Sequence, residues 1–292
     1  MKSTLLVGAL LTAMTATSAL AQAIKLADVA ELSGGGATVG TNWKNGIDLA
    51  IEEINAKGGV LGRKLEVTHA DSQSNPGVAR AQVQKALDAE PYVLLGPGYS
   101  GSVKVTAPLA AEAGQADFAA DVGKIKAANP DAVFVYLNEE ESARILKELK
   151  RQGVAAPLMG ETTLIGQKVI ELAGDAANGA RGHVGLTTDA PVDLIKAFRE
   201  KFSKKYNYVP DHNGLKGYLA VYMVKATTEK MGKVDPKKFA DTLHGLTIKA
   251  ADEPGILMDV TFSDTGDIDR QSFLVEVVEG KQVVKQVLPK VK

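Results

Sequence analysis

The clearest pattern of apolar and polar positions runs from Trp43 to Asp71. Its first half repeats apolar residues on one helix face, while the opposite face is acidic, and the apolar positions are Trp43, Ile47, Ala50, Ile51 and Ile54. Gly58-Gly59 is expected to end this helix, because glycine adopts the left-handed conformation without a Cβ clash. Residues 64–68 alternate like a half-buried strand, and Asn75-Pro76 suits the start of the next helix. This stretch therefore predicts a helix–strand–helix step of a parallel α/β sheet.

The same periodicities predict elements along most of the chain. The expected strands are 24–29, 93–96, 132–137, 157–160, 183–188 and 258–262, with a hairpin formed by 273–278 and 282–287. The expected helices are 103–113, a helix opened by Asp117, and 139–151, 164–173, 192–206, 214–231 and 236–243. Alternation of strands with helices indicates the α/β class with parallel sheets.

Composition narrows the classes of function. The chain has 292 residues, 45% of them hydrophobic, which is enough for one large or two moderate domains. The 34 basic and 35 acidic residues leave a formal net charge of −1, which gives no support to nucleic-acid binding. Cysteine is absent, so disulfides, thiol chemistry and cysteinyl zinc sites are excluded.

The N-terminus has the layout of a signal peptide over residues 1–21. Lys2 supplies the positive charge, Leu5 to Ala13 is a short apolar core, and Ala19-Leu20-Ala21 suits a signal peptidase. Ala21-Gln22-Ala23 is a second candidate cleavage site. We expect export, most simply into a periplasm.

Motifs for catalysis or cofactors are weak. Gly34, Gly36 and Gly40 are spaced one residue too far apart for a dinucleotide-binding loop. Around Ser100 the second glycine of a nucleophile elbow is missing, since Gly101 follows the serine directly and Ser102 stands in the glycine's place. Ser100 is therefore interpreted either as a helix cap or as a hydroxyl that receives a carboxylate. His183, His212 and His244 show no metal-ligand spacing. We therefore predict no enzyme activity, no cofactor and no metal.

Particular residues, rather than the pattern alone, carry a family resemblance. Gly46 to Val67, with Gly-Ile-Asp-Leu-Ala-Ile-Glu-Glu-Ile-Asn followed by Lys-Gly-Gly-Val-Leu-Gly-Arg-Lys-Leu-Glu-Val, resembles the first helix and second strand of type I periplasmic solute-binding proteins. The similar branch serves branched-chain amino-acid ABC transporters. The segments 130–136, 172–179 and 262–267 resemble this family in the same order.

The resemblance implies a fold and a function. The implied fold is α/β, with two doubly wound parallel-sheet lobes and a ligand cleft between them. Lobe one is expected to comprise 24–113 plus 189–268, and lobe two 114–188 plus 269–292. The implied role is extracytoplasmic binding of an amino acid, branched-chain aliphatic in particular, for import through a membrane permease by a monomeric protein. The alternative is a ligand-sensing module outside transport, for amides or other small polar solutes.

The resemblance also suggests ligand-binding positions. Ser100 matches a serine that meets the ligand carboxylate, and Glu161 matches an acidic residue that pairs with the α-ammonium. The other positions expected near the ligand are Val39, Tyr99, Gly101, Tyr136 and Glu139. Without the family, Glu161 reads as a solvated loop carboxylate, and Tyr136 reads equally well as a core residue.

The chain departs from the family after residue 113. Relatives continue with a strand, a second carboxylate-binding loop, a crossover and the first strand and helix of lobe two. Here Ala113-Gly114 runs straight into Gln115-Ala116-Asp117-Phe118. We therefore expect an internal deletion that leaves lobe two incomplete, with a sheet edge open near 132–137.

Overall fold

A computed structural model describes residues 22–96 and 117–291. The predicted signal peptide, the helix expected over 103–113 and the predicted site residues Tyr99, Ser100 and Gly101 lie outside the described residues. Within the described ranges, the structure contains no helix with the length and apolar character needed to cross a membrane.

Eight α-helices are present in the described ranges. They are α1 Ala37–Ala56, α2 Pro76–Asp88, α3 Ala119–Ala128, α4 Glu139–Arg151, α5 Gln167–Ala173, α6 Asp193–Tyr206, α7 His212–Met231 and α8 Pro236–Leu243. The strands are β1 Ile24–Ala30, β2 Leu65–Asp71, β3 Val93–Leu95, β4 Val133–Val135, β5 Leu158–Gly160, β6 Arg181–Val184, β7 Thr247–Ile248, β8 Val260–Phe262, β9 Ile268–Asp269, β10 Ser272–Val278 and β11 Lys281–Leu288. Short 3₁₀ turns span Gly174–Ala177 and Pro254–Ile256.

The first sheet is parallel, with strand order β2-β1-β3. The predicted helix–strand–helix step is confirmed. Helix α1 buries its apolar stripe, and Gly58 and Gly59 follow it with φ values of 103° and 80°. Asn75 caps α2 as predicted, since its Oδ1 accepts hydrogen bonds from the backbone N–H groups of Gly77 and Val78 at 2.8 and 3.1 Å.

The second sheet is mixed, with strand order β11-β10-β6-β5-β4. Strands β4, β5 and β6 are parallel to one another, whereas β10 runs antiparallel to β6 and to β11. The predicted hairpin is confirmed, and its turn residues Glu279 and Gly280 both have positive φ. The third sheet, β7-β8-β9, is antiparallel. Only its middle strand was expected, because two-residue strands leave no periodicity to detect.

Helices α1 and α7 pack against each other at glycines. A Cβ on Gly46 would lie 2.1 Å from the carbonyl oxygen of Gly214, and a Cβ on Gly217 would lie 2.1 Å from that of Trp43. Both distances are shorter than any real contact, so only glycine permits this approach. The crossing fixes the N-terminal half of α7 beside the N-terminal half of α1.

The predicted strand over 132–137 is shorter in the structure and lies at the edge of its sheet. Val133 and Val135 are buried, but Phe134 is 69% exposed on the opposite face, as is its neighbour Met159 at 47%. Among the described strands, β4 pairs only with β5. The strand therefore has one buried face and one exposed face, although both faces are apolar in the sequence.

Two further boundaries differ from expectation. Helix α5 begins at Gln167 rather than at residue 164, because Gly166 has extended backbone angles that end the preceding turn. Strand β6 ends at Val184, and Thr187 and Thr188 lie buried in the connection that follows. Both predicted elements exist with shifted ends.

Candidate ligand site

The carboxyl ends of three parallel strands place charged residues along one edge of the second sheet. Glu139 begins α4 shortly after β4, and Glu161 follows β5 directly. Arg270 precedes β10, which runs antiparallel to β6, so Arg270 lies at the same edge. A guanidinium nitrogen of Arg270 lies 3.5 Å from the position of a Cβ on Gly185, just beyond β6. Such an edge is where ligands bind in open α/β sheets.

The N-terminus of α7 connects this edge to the first sheet's helix α1. The Asp211 carboxylate caps α7 by accepting from the backbone N–H groups of Asn213 and Gly214 at 2.7 and 3.3 Å. The backbone N–H of Asp211 donates to Oδ1 of Asn42 in α1 at 3.2 Å. Val39, a predicted site residue, is half-buried in the first turn of α1, about one turn before Asn42.

The charges of the sheet edge and of α7 act on each other. Burial, together with the negative charge of Asp211, raises the pKa of the Glu139 carboxyl to about 7, although Lys168 opposes the shift. Burial also raises the pKa of Asp211, against the hydrogen bonds of its cap. The two carboxylates therefore face a common, poorly solvated space.

Lys216 and Arg270 are the cations of this space. Burial lowers the pKa of the Lys216 ammonium, Asp211 and Glu161 raise it, and the charge of Arg270 lowers it further. Burial alone lowers the pKa of the Arg270 guanidinium to about 10. Neither cation forms a hydrogen bond or an ion pair within 4.0 Å in the part of the chain that the structure describes. Yet Lys216 is exposed and Arg270 half-buried. Both groups therefore remain accessible from solvent, and we refer to the region between this sheet edge and the N-terminal half of α7 as the cleft.

A small cavity adjoins the cleft. It has a volume of about 30 Å³ and lies between Asp211 and His212 on one side and Thr187, Thr188 and Asp189 on the other. Burial and the charge of Lys216 lower the pKa of His212 to about 3, so this imidazole is neutral. The cavity has room for about one water molecule beside polar partners. It is too small to hold an amino acid.

The structure places four of the seven predicted site residues. Glu161 is half-buried, and its Oε1 accepts a hydrogen bond from the backbone N–H of Thr163 at 2.9 Å, so this carboxylate is held rather than freely solvated. Tyr136 is 72% exposed, which makes the core-packing interpretation of that residue wrong. Tyr136, Glu139 and Glu161 follow β4 and β5 at one sheet edge, and Val39 is connected to that edge through α7.

Sequence reasoning missed Asp211, Lys216 and Arg270. They come from a loop, a helix and a tight turn, and none has a partner at a regular spacing in the sequence. One signal was available: Lys216 lies between Leu215 and Gly217-Tyr218, which are buried in α7. A charged residue within an otherwise buried run marks the position where that run reaches solvent.

Another missed residue, His69, belongs to a separate group of charges in the first sheet. Its Nδ1 lies 2.6 Å from Oδ2 of Asp28, and its Nε2 lies 2.9 Å from Oδ1 of Asp48. Trp43 donates to the other oxygen of Asp28 at 2.8 Å, and Lys44 donates to that of Asp48 at 2.5 Å. Burial opposes the imidazolium, but the two carboxylates raise the pKa of His69 to about 9. We call these five residues the His69 network.

The His69 network is not arranged like a metal site. Among residues 22–96 and 117–291, no three His, Cys, Asp or Glu side chains are placed to hold a metal ion together. Both imidazole nitrogens donate to ionised carboxylates, which leaves neither nitrogen lone pair for a metal. The network joins β1, β2 and α1.

Comparison with known proteins identifies the family. The family model described as periplasmic binding protein matches residues 23–116 and 102–282. The chain belongs to the periplasmic binding protein family. The two matched stretches overlap at 102–116 and together cover most of the sequence that follows the predicted signal peptide.

Curated relatives of the family match part of their length. The Leu/Ile/Val-binding protein homolog 1 of Brucella abortus is 27% identical over 161 residues, which are 53% of this chain and 40% of that protein. The leucine-, isoleucine-, valine-, threonine- and alanine-binding protein of Pseudomonas aeruginosa is 25% identical over 219 residues, 73% of this chain and 52% of that protein. The chain thus spans about half the length of these relatives.

Solved structures share the fold with low sequence identity. The branched-chain amino acid transporter substrate binding protein of Streptococcus pneumoniae, in complex with isoleucine, aligns with a TM-score of 0.79 at 19% identity and covers 92% of this chain and 99% of its own. A solute binding protein of Rhodopseudomonas palustris in complex with 3,4-dihydroxybenzoic acid aligns with a TM-score of 0.77 at 18% identity, covering 93% and 98%. These neighbours confirm the type I periplasmic binding protein fold predicted from the sequence.

Proposed function

We propose that this chain is the extracytoplasmic substrate-binding component of an ABC importer for amino acids, branched-chain aliphatic ones in particular. The observation that carries the proposal is the cleft at the carboxyl ends of β4 and β5, which presents carboxylates and cations together. An amino acid carries both charges on neighbouring groups, so a cleft of this composition suits it. The names of the relatives support the same class of ligand.

In this proposal Glu161 pairs with the α-ammonium of the ligand. A buried ammonium without a partner costs several kcal/mol, so an amino-acid site needs a carboxylate close by. Glu161 is half-buried, and its backbone hydrogen bond with Thr163 leaves carboxylate lone pairs for a ligand. Glu139 and Tyr136 lie on the neighbouring strand end as further ligand contacts.

We also propose the two-lobe division with a cleft that closes on the ligand, the closed form being what a membrane permease recognises. Strands β10 and β11 lie in the same sheet as β4, β5 and β6. This shared sheet supports placing 269–292 with 114–188. Helices α1 and α7 pack together, which supports placing 189–268 with the first sheet. The split family match is consistent with an internal deletion near residue 113. A monomer in the periplasm completes the proposal.

A second ligand class is suggested by neighbours that hold aromatic acids. The Rhodopseudomonas palustris structure holds 3,4-dihydroxybenzoic acid, a carboxylate without an ammonium group. The cations of the cleft would suit such a ligand, but Glu161 would then have no role in binding. Comparison of leucine with benzoate therefore separates the two classes.

The test is a thermal-shift screen of the processed protein against amino acids and aromatic acids, followed by calorimetry. We expect stabilisation by branched-chain amino acids, and a loss of about tenfold or more in affinity for Glu161→Gln, since a charge-assisted hydrogen bond contributes about 1.5–3 kcal/mol. Glu171→Gln, on the exposed face of α5, is the matched control and should bind normally. Binding of benzoate but of no amino acid would replace the first ligand class by the second.

A further inference from the structure

We propose that Gln282 is a positioning residue of the ligand site, because its side chain ties the turn that begins with Glu161 to residues 185–192, the connection between β6 and α6. The inference rests on the proposed function, since it concerns how Glu161 is held before an amino acid binds. Gln282 lies on β11, at the opposite edge of the sheet from β4 and far from the Glu161 turn in the sequence.

The side chain of Gln282 bonds two separate connections at once. Its Oε1 accepts a hydrogen bond from the hydroxyl of Thr187 at 2.7 Å, and its Nε2 donates to the backbone carbonyl oxygen of Ile165 at 2.6 Å. Thr187 is 2% exposed and Ile165 is fully buried, so water does not readily replace either bond. Because a buried polar group that loses its partner is costly, both bonds hold Gln282 in one orientation.

These bonds form a chain that has a single possible direction. The carbonyl oxygen of Ile165 can only accept, so the Gln282 amide must direct its NH₂ group there and its oxygen toward Thr187. The backbone N–H of Asp189 donates to Oγ1 of Thr187 at 3.2 Å, which leaves the hydroxyl proton of Thr187 for Gln282. Glutamine suits this place because it offers one acceptor and one donor, whereas a glutamate would turn a second acceptor toward Ile165.

The Ile165 end of the chain holds the turn that carries Glu161. The backbone N–H of Thr163 donates to the Glu161 carboxylate at 2.9 Å, and that of Leu164 donates to the Glu161 carbonyl oxygen at 3.2 Å. Gln282 therefore anchors the end of a short turn whose first residue is the proposed partner of the ligand ammonium. A carboxylate that is already oriented by such support loses less conformational freedom when a ligand binds.

The Thr187 end of the chain leads to α6. Asp189, which donates its N–H to Thr187, pairs through its carboxylate with Arg199 of α6. In the proposed two-lobe division α6 belongs to lobe one, whereas β11 belongs to lobe two. The connection is thus bonded on both sides, and a movement between the lobes would reach the Glu161 turn through Gln282.

The small cavity described above lies beside this chain of bonds. Gln282, Thr187, Asp189 and Arg199 all line its volume of about 30 Å³. One water molecule fits there, and a water can bond these polar groups while their direct bonds change. The connection can therefore move during closure without leaving a buried polar group unpaired.

The test is calorimetry of leucine binding to the processed protein and its variants. Gln282→Met keeps the length of the side chain and removes both hydrogen bonds, while Gln282→Glu keeps only the bond with Thr187. Gln286→Met, at an exposed glutamine of the same strand, is the matched control. Each variant is measured alone and combined with Glu161→Gln, and urea unfolding establishes that each is folded.

We expect Gln282→Met to weaken leucine binding about three- to tenfold, which is the effect of one side chain that must be ordered on binding. Gln282→Glu should weaken it by a similar factor, because its carboxylate cannot donate to Ile165. Gln286→Met should bind leucine as tightly as the wild type. In the Glu161→Gln background, Gln282→Met should cause no further loss of affinity, since Gln282 acts through Glu161.

The outcomes distinguish this inference from the proposed function. If the wild type binds leucine and Gln282→Met binds it as tightly, the inference is wrong while the function stands. If Gln282→Met causes the same loss with and without Glu161, its role is merely structural and the inference is again overturned. If the wild type binds no amino acid, the proposed function fails and the inference fails with it. Should Gln282→Met not fold, the same comparison is made with Gln282→Glu.

Discussion

The His69 network and the two cations of the cleft are opposite solutions to one physical problem. Both include a partly buried cation, His69 in one and Arg270 in the other. Within the His69 network, every charge has a protein partner: His69 bridges Asp28 and Asp48, which are bonded in turn by Trp43 and Lys44. In the cleft, Lys216 and Arg270 have no such partner among the described residues.

The difference teaches how to separate structural charges from binding charges. A network that satisfies itself stabilises the fold and gains nothing from a ligand. A group of charges that leaves its own members unpaired lowers the stability of the empty protein, and binding returns that free energy. Strength of pKa shift alone does not discriminate, since His69 and Arg270 are both shifted. The presence or absence of protein partners does.

The largest expected effect on stability comes from removing a carboxylate of the His69 network. Asp28 is fully buried and holds both His69 and Trp43. Asp28→Ala should lower the free energy of unfolding by about 3–5 kcal/mol, because it leaves a buried imidazolium with one partner fewer and an indole N–H with none. Urea denaturation measures this. Asp48→Ala, at a side chain that is 31% exposed, should cost about 1 kcal/mol. Equal losses of unfolding free energy in the two variants would show that burial does not determine how much these ion pairs stabilise the protein.

The next effect is the pH dependence of stability. The pKa of His69 is about 9 in the folded protein, above the ordinary value of 6.5. A raised pKa means that the folded state binds the proton more tightly, so this stabilisation is complete below about pH 6.5 and is lost as pH rises through about 9. We expect the free energy of unfolding to fall by about 2–3 kcal/mol across that window through His69.

The control for this pH dependence is a second histidine variant. His69→Asn should flatten the slope between about pH 6.5 and 9, whereas His183→Asn, at an exposed histidine bonded to Ser272, should leave it unchanged. A wild-type slope that survives His69→Asn would assign the titration to another group.

A smaller effect is expected on the cleft side. Burial and Asp211 raise the pKa of Glu139 to about 7, so its ionised form is unfavourable in the empty cleft. The stability that the neutral form contributes is lost as pH rises from about 4.5 to 7. At pH 8, Glu139→Gln should therefore stabilise the unliganded protein by about 1 kcal/mol. Glu171→Gln, exposed on α5, should not, and thermal unfolding compares them. Destabilisation by Glu139→Gln would place that carboxylate among the paired charges.

The smallest effect concerns the sheets that carry the two groups of charges. β1 is the central strand of its sheet, whereas β4 is an edge strand with one apolar face exposed at Phe134 and Tyr136. Backbone amides of 133–135 should exchange with solvent faster than those of 25–29, as hydrogen exchange with mass spectrometry can resolve. Equal protection would indicate that another part of the chain covers β4.

Much of the architecture was predictable because it depends on local pattern. The apolar stripe of α1, the Asn75-Pro76 start of α2 and the Glu279-Gly280 turn each contain their own structural cause within a few residues. Element ends were less predictable where packing decides them. Thr187 and Thr188 read as strand but lie buried in a connection, because β6 loses its partners after Val184.

The site was only half predictable for a related reason. Glu139 and Glu161 could be placed together, because both follow parallel strands and carboxyl ends of such strands share an edge. Arg270 reaches that edge through an antiparallel strand, and Lys216 reaches it through the glycine-dependent packing of α7 on α1. Neither relation leaves a spacing in the sequence. For the same reason the sequence did not predict that the His69 network would link β1, β2 and α1.

The free energy of unfolding of Arg270→Gln, measured in urea with and without leucine, tests the central claim most directly. If Arg270 is kept for the ligand, the empty variant is as stable as the wild type or up to about 1 kcal/mol more stable, since an unpaired, poorly solvated charge is gone. The stabilisation that leucine gives the wild type should then be largely absent. A loss of about 2 kcal/mol or more in the empty protein, with leucine stabilisation intact, would contradict the account and make Arg270 a structural charge like His69.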